Sequence, residues 1–364
     1  MKIAMIGQKG MPSRAGGIEV HVEEIGCRLA QFGHELIIYV RGDYCSEILE
    51  DYKGMKIVHI SSVNTKHFDT ISYTASATIH ALKSGVEIVH FHALGPSLFA
   101  FLPRLFGRKV ICTVHGLDWK REKWGRFTKL ILKLGEQVGV RFANQTISVS
   151  ETLLPYFEEK YSKVPVFIPN GVYVKPKPSA EILLEKFGLE EESYILFLSR
   201  IVPEKGLHLL IEAFNGLKTD KKLVIAGGAS HSDQYLREVN LQAEGNPKIL
   251  FTGFVEGELL EALFGHAYLY VLPSTVEGLP ISLLEAMSYG TLCLTSDIEE
   301  NKAVLSDHGY TFRSRDAEDL RDCLESLLTS KKGYDDQETI NYIKEKFSWD
   351  AVATDTESVY KSVF

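Results

Sequence analysis

The chain has 364 residues, of which 45% are hydrophobic and 24% are charged, and its formal net charge at pH 7 is −8. These proportions are those of globular proteins and exclude disordered and collagen-like classes, while the length exceeds what one core usually supports and predicts about two domains. The five cysteines are scattered without a Cys-x-x-Cys pair, and the first residues do not form a secretory leader, so we expect reduced thiols and a cytoplasmic protein.

Charge is divided unevenly along the chain. Residues 1–165 contain 21 Lys and Arg against 16 Asp and Glu, a net charge of +5, whereas residues 166–364 contain 19 against 32, a net charge of −13. This difference suggests two bodies with different partners. The acidic second half also argues against a nucleic-acid binder.

The first half of the chain alternates short runs of β-branched and aromatic residues with helical patterns. The predicted strands cover residues 3–6, 36–40, 57–60, 88–91, 110–114 and 146–149. Between the first two strands, Ile18, Val22, Ile25 and Leu29 recur at helical spacing and predict a helix with one apolar face. The alternation is typical of a doubly wound parallel sheet.

The second half repeats this scheme. Its predicted strands cover residues 194–198, 222–226, 249–252, 268–272 and 291–295, and its helices begin near Leu207, Asp233, Glu256, Pro280 and Asp316. Residues 164–178 hold four of the twelve prolines, as expected of an interdomain connection, and we place the boundary near residue 170. Because parallel sheets bind ligands at the carboxyl ends of their strands, we expect a crevice shared by the two sheets.

A glycine-rich loop joins the first predicted strand to the first helix. Its glycines stand at positions 7, 10, 16 and 17, a spacing that does not fit the G-x-G-x-x-G fingerprint and disfavours a nicotinamide enzyme. Gly16 and Gly17 directly precede the helix, where bare backbone N–H groups and the positive helix end favour an anion. A purely structural glycine loop is the alternative.

A segment after an apolar strand of the second half carries two glutamates, Glu277 and Glu285. We expect Pro280 to be the first residue of a helix, with the N–H groups of Gly278 and Leu279 facing a phosphate or a polar sugar edge. Glu285 follows Pro280 by five residues, about 7.5 Å along a helix axis. The two glutamates can therefore contact different parts of one elongated ligand, and the alternative is a pair of solvated side chains.

Cationic and imidazole side chains follow other predicted strands. Arg200 offers a planar fork and Lys205 a compact charge, and together they suit a diphosphate, with surface solvation as the alternative. His115 ends a strand of the first half and faces the expected crevice, whereas His90 and His92 are weaker candidates; a structural histidine is the alternative. The chain has no Asp-x-Asp pair, so the usual carboxylate grip on a metal-bound diphosphate is missing and we predict no metal.

Residues 104–133 form a basic amphipathic stretch. Nine lysines and arginines stand against Asp118 and Glu122, and apolar side chains lie between them, namely Trp119, Trp124, Phe127, Leu130 and Ile131. Such a stretch predicts peripheral docking on anionic lipid at the inner face of the membrane, close to a lipid-linked acceptor. The alternative is a core helix with a solvated basic face.

Taken together, these motifs resemble those of the retaining nucleotide-sugar glycosyltransferases of family GT4, over nearly the whole chain. The most specific match is the pair of glutamates separated by seven residues, within Pro-Ser-x-x-Glu-Gly-x-Pro-x-x-x-x-Glu-Ala-Met. The resemblance implies the α/β GT-B fold, in which two Rossmann-like parallel-sheet domains face each other across a cleft. The acceptor-side domain would cover residues 1–170, with a helix at 349–364 packing back on it, and the nucleotide-sugar donor domain would cover residues 171–348. The sequence is most similar to family members that take part in the biosynthesis of bacterial surface polysaccharides.

The resemblance also implies residue roles. Arg200 and Lys205 would stabilise the departing nucleoside diphosphate without a metal, Glu277 would bind sugar hydroxyls, and His115 would lie near the transferred sugar. Further donor contacts are expected at Gly16, Gly17, Gly227, Phe254, Val255, Gly278, Leu279, Pro280 and Glu285, with the base held by the loop after residues 226–228 and by the segment 253–255, and the ribose at Glu285. The implied activity is transfer of a hexose-type sugar to a glycan or lipid-linked acceptor with retention of configuration. No protein nucleophile is assigned.

Two departures from the family pattern affect loops outside these contacts. Thr291 follows Gly290 where a proline is usual, and Glu299 replaces another common proline.

Two alternative functions stay open at this point. One is a sugar-nucleotide epimerase or a phosphorylase that has a similar two-domain fold. The other is a non-catalytic subunit that binds a nucleotide-sugar.

Overall fold

The computed structural model describes residues 1–12, 16–45, 48–61, 69–121, 124–228, 233–330 and 334–364. Its internal contacts divide the chain into two compact units. The first unit comprises Met1–Gly171 and Ser348–Phe364, and the second comprises Val172–Phe347. Among the described residues, no helix is both long and apolar enough to cross a membrane.

The first unit is built on a sheet whose described strands are β1 (Lys2–Ile6), β2 (Glu35–Arg41), β3 (Asp51–Tyr52), β4 (Met55–Ile60), β5 (Ile88–His92), β6 (Lys109–Val114), β7 (Gln145–Ser148) and β8 (Val166–Phe167). Their spatial order is β3-β4-β2-β1-β5-β6-β7-β8. All pairs are parallel except β3 with β4. The six predicted strands are present with ends shifted by one or two residues, whereas β3 and β8 were not predicted. Val166 and Phe167 extend the sheet beside β7 instead of belonging only to a linker.

Within Met1–Gly171, the described residues form five α-helices, which belong to the same unit as this sheet. They are α1 (Gly17–Gln31), α2 (Asp69–Lys83), α3 (Phe101–Leu105), α4 (Arg126–Phe142) and α5 (Leu154–Tyr161). On α1, Val22, Ile25 and Leu29 are fully buried, as the helical spacing predicts. Burying an aliphatic side chain of this size contributes about 1.5–3 kcal/mol, so the stripe fixes the face that α1 turns to the sheet.

The second unit repeats the alternation of strands and helices. Its elements are α6 (Glu181–Phe187), β9 (Tyr194–Leu198), α7 (Leu207–Asn215), β10 (Lys222–Ala226), α8 (Asp233–Ala243), β11 (Ile249–Gly253), α9 (Gly257–Gly265), β12 (Leu269–Leu272), α10 (Ile281–Ser288), β13 (Cys293–Ser296), α11 (Glu299–Leu305), β14 (Tyr310–Phe312), α12 (Ala317–Thr329) and α13 (Asp336–Lys346). The strand order is β11-β10-β9-β12-β13-β14, and every pair is parallel. All five predicted strands are present, and β14 was missed because it has only three residues.

The last helix, α14 (Trp349–Ser362), belongs to the first unit and packs against α1. Trp349, Val352 and Tyr360 of this helix are buried. Two polar contacts join α14 to the same unit: Arg28 Nε donates to Asp350 Oδ1 at 2.6 Å, and the Tyr360 hydroxyl lies 2.7 Å from His90 Nδ1.

In each sheet the chain reverses its direction of winding at one point. This point lies between β1 and β5 in the first unit and between β9 and β12 in the second. The loops that leave the two strands diverge there, and open α/β sheets bind ligands in the crevice this creates. Glycine is required at both points: a Cβ on Gly7 would lie 2.2 Å from the His92 carbonyl oxygen, and one on Gly206 would lie 2.0 Å from that of Pro273.

Candidate functional site

At the winding reversal of the second unit, an ion pair joins the loop after β9 to the loop after β12. Lys205 Nζ donates to Glu277 Oε1 at 2.5 Å. The side chains are 11% and 8% exposed, respectively. Both residues are sequence-predicted site residues, and the structure brings them together across 72 positions of sequence.

Backbone contacts hold the same two loops in register. Thr275 N donates to the Glu204 carbonyl oxygen at 2.9 Å, and the Cβ-less Gly206, at φ +69°, lets the Pro273 carbonyl approach. These backbone contacts hold the two loops together, and the ion pair therefore lies between two segments whose relative position is fixed.

Arg200 is half-buried and lies two residues after the end of β9. The neighbouring Ile201 N donates to the Gly228 carbonyl oxygen at 2.9 Å. A Cβ on Gly227 would lie 2.0 Å from the Ser199 carbonyl oxygen, so any larger residue would displace the strand end that carries Arg200. Gly227 thus supports the site through backbone packing. The loop 229–232, expected near the base, lies outside the described residues.

Helix α10 begins at Ile281, and Pro280 precedes it as the N-cap residue in an extended conformation instead of being the first helical residue. The Pro280 carbonyl oxygen accepts from Leu283 N and Leu284 N. Proline suits this position because it has no N–H to leave unsatisfied. Gly278 is buried and Leu279 is half-buried before this helix start, and Glu285 is half-buried one turn into α10.

A tyrosine that the sequence analysis missed supports this arrangement from below. The Tyr270 hydroxyl donates to Ser282 Oγ at 2.8 Å and lies 3.3 Å from the Leu198 carbonyl oxygen. Tyr270 therefore ties the end of β9, which precedes Arg200, to the first turn of α10. Burial raises its pKa well above the ordinary value, so the hydroxyl stays protonated and able to donate.

The segment expected to hold a base follows β11. Phe254 is 60% exposed, whereas Val255 is buried against the core of the unit. The preceding Gly253 adopts φ +73°, a conformation that glycine adopts without strain. The exposed Phe254 ring is a flat apolar surface at the carboxyl edge of the sheet.

In the first unit, the glycine loop meets the start of α1. Gly16 is the N-cap in an extended conformation and Gly17 is the first helical residue. Glu19, which the sequence analysis did not select, accepts from Lys9 N at 3.0 Å, and a Cβ on Gly16 would lie 2.4 Å from its Oε2. Glu19 therefore holds the two ends of the loop together. Residues 13–15 of the loop lie outside the described residues.

His115 follows β6 and is half-buried. Its Nε2 lies 3.3 Å from His92 Nδ1, and its ring packs edge-on against His21, with centroids 4.8 Å apart and planes at 85°. His21 Nδ1 lies 2.9 Å from Asn170 Oδ1. His21 and Asn170 were not predicted, since His21 falls within the apolar stripe of α1 and Asn170 within the expected linker.

These imidazoles are neutral at pH 7. Burial lowers the pKa of His21 to about 4, although its hydrogen bond with Asn170 opposes this shift. Burial and then neighbouring histidines hold the pKa values of His92 and His115 well below the ordinary value. A neutral imidazole carries both a donor and an acceptor nitrogen, so His115 can bond a hydroxyl in either direction.

His90 is a structural residue and does not belong to the site. It is fully buried, with Nε2 2.7 Å from Thr113 Oγ1 and Nδ1 2.7 Å from the Tyr360 hydroxyl. Burial lowers its pKa to about 3. Its sequence position, alternating with His92 on β5, turns it into the sheet core towards α14.

The basic stretch 104–133 divides into an inner and an outer part. Trp119, one of the apolar residues of the stretch, turns inward and donates from Nε1 to the buried Glu136 at 2.7 Å. Phe127 and Leu130 are 64% and 65% exposed on α4, and Leu134 continues the same face one turn later. Glu122 and Lys123, which both belong to the stretch, lie outside the described residues.

Each of the two units matches a model of a glycosyltransferase family. The model for Glycosyltransferase Family 4 matches residues 15–175, and the model for Glycosyl transferases group 1 matches residues 179–346. An uncharacterized glycosyltransferase of Methanocaldococcus jannaschii is 26% identical, over 99% of this chain and 98% of its own length.

Two solved structures have the same fold. Sucrose-phosphate synthase from Thermosynechococcus elongatus superposes with a TM-score of 0.86 at 20% identity, covering 100% of this chain and 99% of that one. Anabaena HepE, in complex with UDP and glucose, superposes with a TM-score of 0.83 at 17% identity over 100% of both chains.

Proposed function

Since the chain belongs to the GT4-type glycosyltransferases and has their GT-B fold, we propose that it moves a sugar from a nucleotide-diphosphate sugar to a glycan or lipid-linked acceptor, with retention and without a metal. The observation that carries this proposal is the Lys205–Glu277 ion pair at the winding reversal of the second unit, where Arg200 and Lys205 both follow β9.

The cations of this site suit the leaving group. When the bond from the anomeric carbon to the diphosphate breaks, negative charge grows on the diphosphate oxygens. A guanidinium at Arg200 and an ammonium at Lys205 would stabilise that charge, and their effect is large because they are held in place beforehand. Glu277 orients Lys205, and its carboxylate can also accept bonds from sugar hydroxyls.

The other residues that we propose as donor contacts lie at the carboxyl edge of the same sheet, in the second unit. Phe254 offers an exposed ring against which a base can pack, and Glu285 lies one turn into α10, within the same unit. Gly278, Leu279 and Pro280 lead into the positive end of α10, which favours anionic groups. The complex of HepE with UDP and glucose supports a nucleotide-sugar donor for this chain.

In the first unit, His115 is the residue we assign to the transferred sugar. It is half-buried and neutral, so it can bond a sugar hydroxyl without adding a charge. Gly16 and Gly17 at the start of α1 would bring backbone N–H groups to the same ligand. We assign no protein nucleophile.

The exposed face of α4 supports peripheral contact with an anionic membrane. Phe127, Leu130 and Leu134 are exposed on it at helical spacing, and Arg126 and Lys133 are exposed on the same helix. An apolar stripe flanked by basic residues is the pattern of helices that lie in the bilayer interface. Docking there would bring the protein to a lipid-linked acceptor.

The proposal is tested with the purified chain and a panel of UDP-, GDP-, ADP- and dTDP-sugars. The true donor should raise the thermal unfolding temperature, since ligand binding stabilises the folded state, and sugar should then be transferred only when acceptor is present. Conversion of the donor without acceptor would indicate an epimerase, and dependence on inorganic phosphate a phosphorylase. A donor that binds without transfer or hydrolysis would indicate a binding subunit.

A further inference from the structure

We propose that His21, His92 and His115 form a binding site for a transition metal ion of the zinc class. One ring nitrogen from each residue lies within 4.8 Å of the other two. His21 lies on α1, His92 is the last residue of β5, and His115 directly follows β6. Helix α1 follows β1, which pairs with β5, and β5 pairs with β6, so the three residues lie beside the winding reversal of the first sheet.

The spacing of the nitrogens suits a tetrahedral ion. Zn–N bonds of about 2.0–2.1 Å place two ligand nitrogens about 3.4 Å apart in a tetrahedron. His92 Nδ1 and His115 Nε2 are 3.3 Å apart. Because no pair of ligand nitrogens is more than 4.8 Å apart, no nitrogen–nitrogen distance has to shorten by more than about 1.4 Å, the difference between 4.8 and 3.4.

Hydrogen bonding prepares the ligand atoms. An amide oxygen only accepts, so the contact of His21 Nδ1 with Asn170 Oδ1 at 2.9 Å places the His21 proton on Nδ1 and leaves the lone pair on Nε2. Second-shell oxygens orient metal-binding histidines in this way. His92 is fully buried, and when its Nδ1 binds the ion the ring proton lies on Nε2, which has no hydrogen-bond partner in the described structure.

The donor set selects the kind of ion. The cluster offers only imidazole nitrogens, which suit Zn²⁺, Cu²⁺, Ni²⁺ and Co²⁺, whereas Mg²⁺, Ca²⁺ and Mn²⁺ prefer oxygen. His21 and His92 are buried, but His115 is half-buried. Three histidines with an accessible side leave a fourth coordination position for water, as in open zinc sites.

Occupancy of this site would inhibit glycosyl transfer, and this consequence rests on the proposed function. With its Nε2 bound to a metal, His115 would keep its proton on Nδ1 and could no longer accept a hydrogen bond from a sugar hydroxyl through either nitrogen. The metal would thus act on the same residue that we assign to the transferred sugar, although the reaction itself does not use it.

The test is metal binding by the full-length protein after treatment with a chelator and dialysis. Titration with CoCl₂ should produce the visible absorption of tetrahedral Co²⁺ with one ion per chain, and ZnCl₂ should abolish it by displacement. MgCl₂ should have no effect at the same concentrations. Absence of the absorption, or its loss to MgCl₂ as readily as to ZnCl₂, would overturn the site.

Variants locate the ion. His21→Gln keeps a donor for Asn170 and should weaken Zn²⁺ binding at least tenfold by calorimetry, and the half-buried His115→Gln should do the same. The control is His59→Gln, on β4, whose ring Nε2 is 2.9 Å from the Leu49 carbonyl oxygen and lies outside the cluster. Unchanged Zn²⁺ affinity in His115→Gln would contradict the site even if His21→Gln failed to fold.

Binding and activity give separate answers. Zn²⁺ binding with inhibition of transfer would support both the site and its consequence. Zn²⁺ binding without inhibition would support the site and count against the role we propose for His115. Absence of Zn²⁺ binding in an enzyme that transfers sugar would overturn this inference alone.

Discussion

Lys205 and Glu277 form an ion pair at 2.5 Å with both side chains nearly buried, and this contact joins the two loops that diverge at the winding reversal of the second unit. A buried charge whose counter-charge is removed is costly. Glu277→Leu should therefore lower the free energy of unfolding by about 3 kcal/mol. In the Lys205→Met, Glu277→Leu double variant much of this loss should be regained.

The exposed pair Lys175–Glu261, in the same unit, is the matched control. Its atoms are 2.6 Å apart, but the side chains are 47% and 32% exposed. An equivalent double-mutant cycle by urea denaturation should give a coupling energy of about 0.2–1 kcal/mol there, against about 1–3 kcal/mol for Lys205–Glu277. Equal coupling energies would show that the buried pair contributes no more to stability than the exposed pair does.

Removal of metal should leave turnover intact. The proposed leaving-group stabilisation uses Arg200 and Lys205, and the sequence has no Asp-x-Asp pair to hold a metal-bound diphosphate. Initial transfer rates with EDTA should equal those without it, or exceed them where zinc was present. Loss of transfer with EDTA, restored by Mg²⁺ or Mn²⁺, would be incompatible with this mechanism.

Membrane docking should depend on the apolar face of α4. Replacing Phe127, Leu130 and Leu134 together by Ser removes three exposed apolar side chains and should reduce flotation with phosphatidylglycerol vesicles at least tenfold. Leu184 and Leu241, which are exposed on the second unit, serve as controls when replaced by Ser. Equal flotation of the native chain with anionic and zwitterionic vesicles would dismiss the docking face.

Acid stability should depend on Glu136, which lies buried beneath the basic stretch. Its carboxylate accepts from Trp119 Nε1, Tyr156 OH, Lys160 Nζ and Tyr161 OH at 2.6–2.7 Å. Burial alone would raise its pKa, but these hydrogen bonds, that of Lys160 foremost, hold it below the ordinary value.

The sign of the effect follows from that depressed pKa. The unfolded chain takes up the proton first, so Glu136 stabilises the fold above its unfolded pKa of about 4.3, and this stability is lost as pH falls through the lower folded pKa. Glu136→Gln should cost about 1–3 kcal/mol at pH 7 and flatten the decline below pH about 4.3. Denaturant titrations at several pH values measure this, with the exposed Glu158→Gln as control. A parallel decline in both variants would refute the assignment.

The long strands could be predicted from sequence because their apolar runs report burial directly. The strands β3, β8 and β14, of two or three residues, are too short to show a period, and β8 lies in a proline-rich segment that predicts a linker. The sequence counts Trp119 only as an apolar residue of the basic stretch, because amphipathic spacing says nothing of a polar partner such as Glu136, seventeen residues away.

Site residues were predicted where a motif names them and missed where only the fold brings them together. Lys205 and Glu277 stand in recognisable loops, but their contact depends on the strand order β10-β9-β12. His21 has the spacing of a core residue on α1, and only the pairing of β1 with β5 and of β5 with β6 sets it beside His92 and His115. Tyr270 gives no signal in an apolar strand, because its role lies in the hydroxyl contact with Ser282.

The most direct test of the central claim, that Arg200 and Lys205 bind the diphosphate of the donor, is calorimetric titration with a nucleoside diphosphate and with its nucleoside. Lys205→Ala and Arg200→Ala should each weaken diphosphate binding at least tenfold, leave nucleoside binding unchanged and lower turnover about 10²- to 10³-fold. The exposed Lys218→Ala should change none of these. Equal affinities of native protein and both variants for the diphosphate would contradict the account.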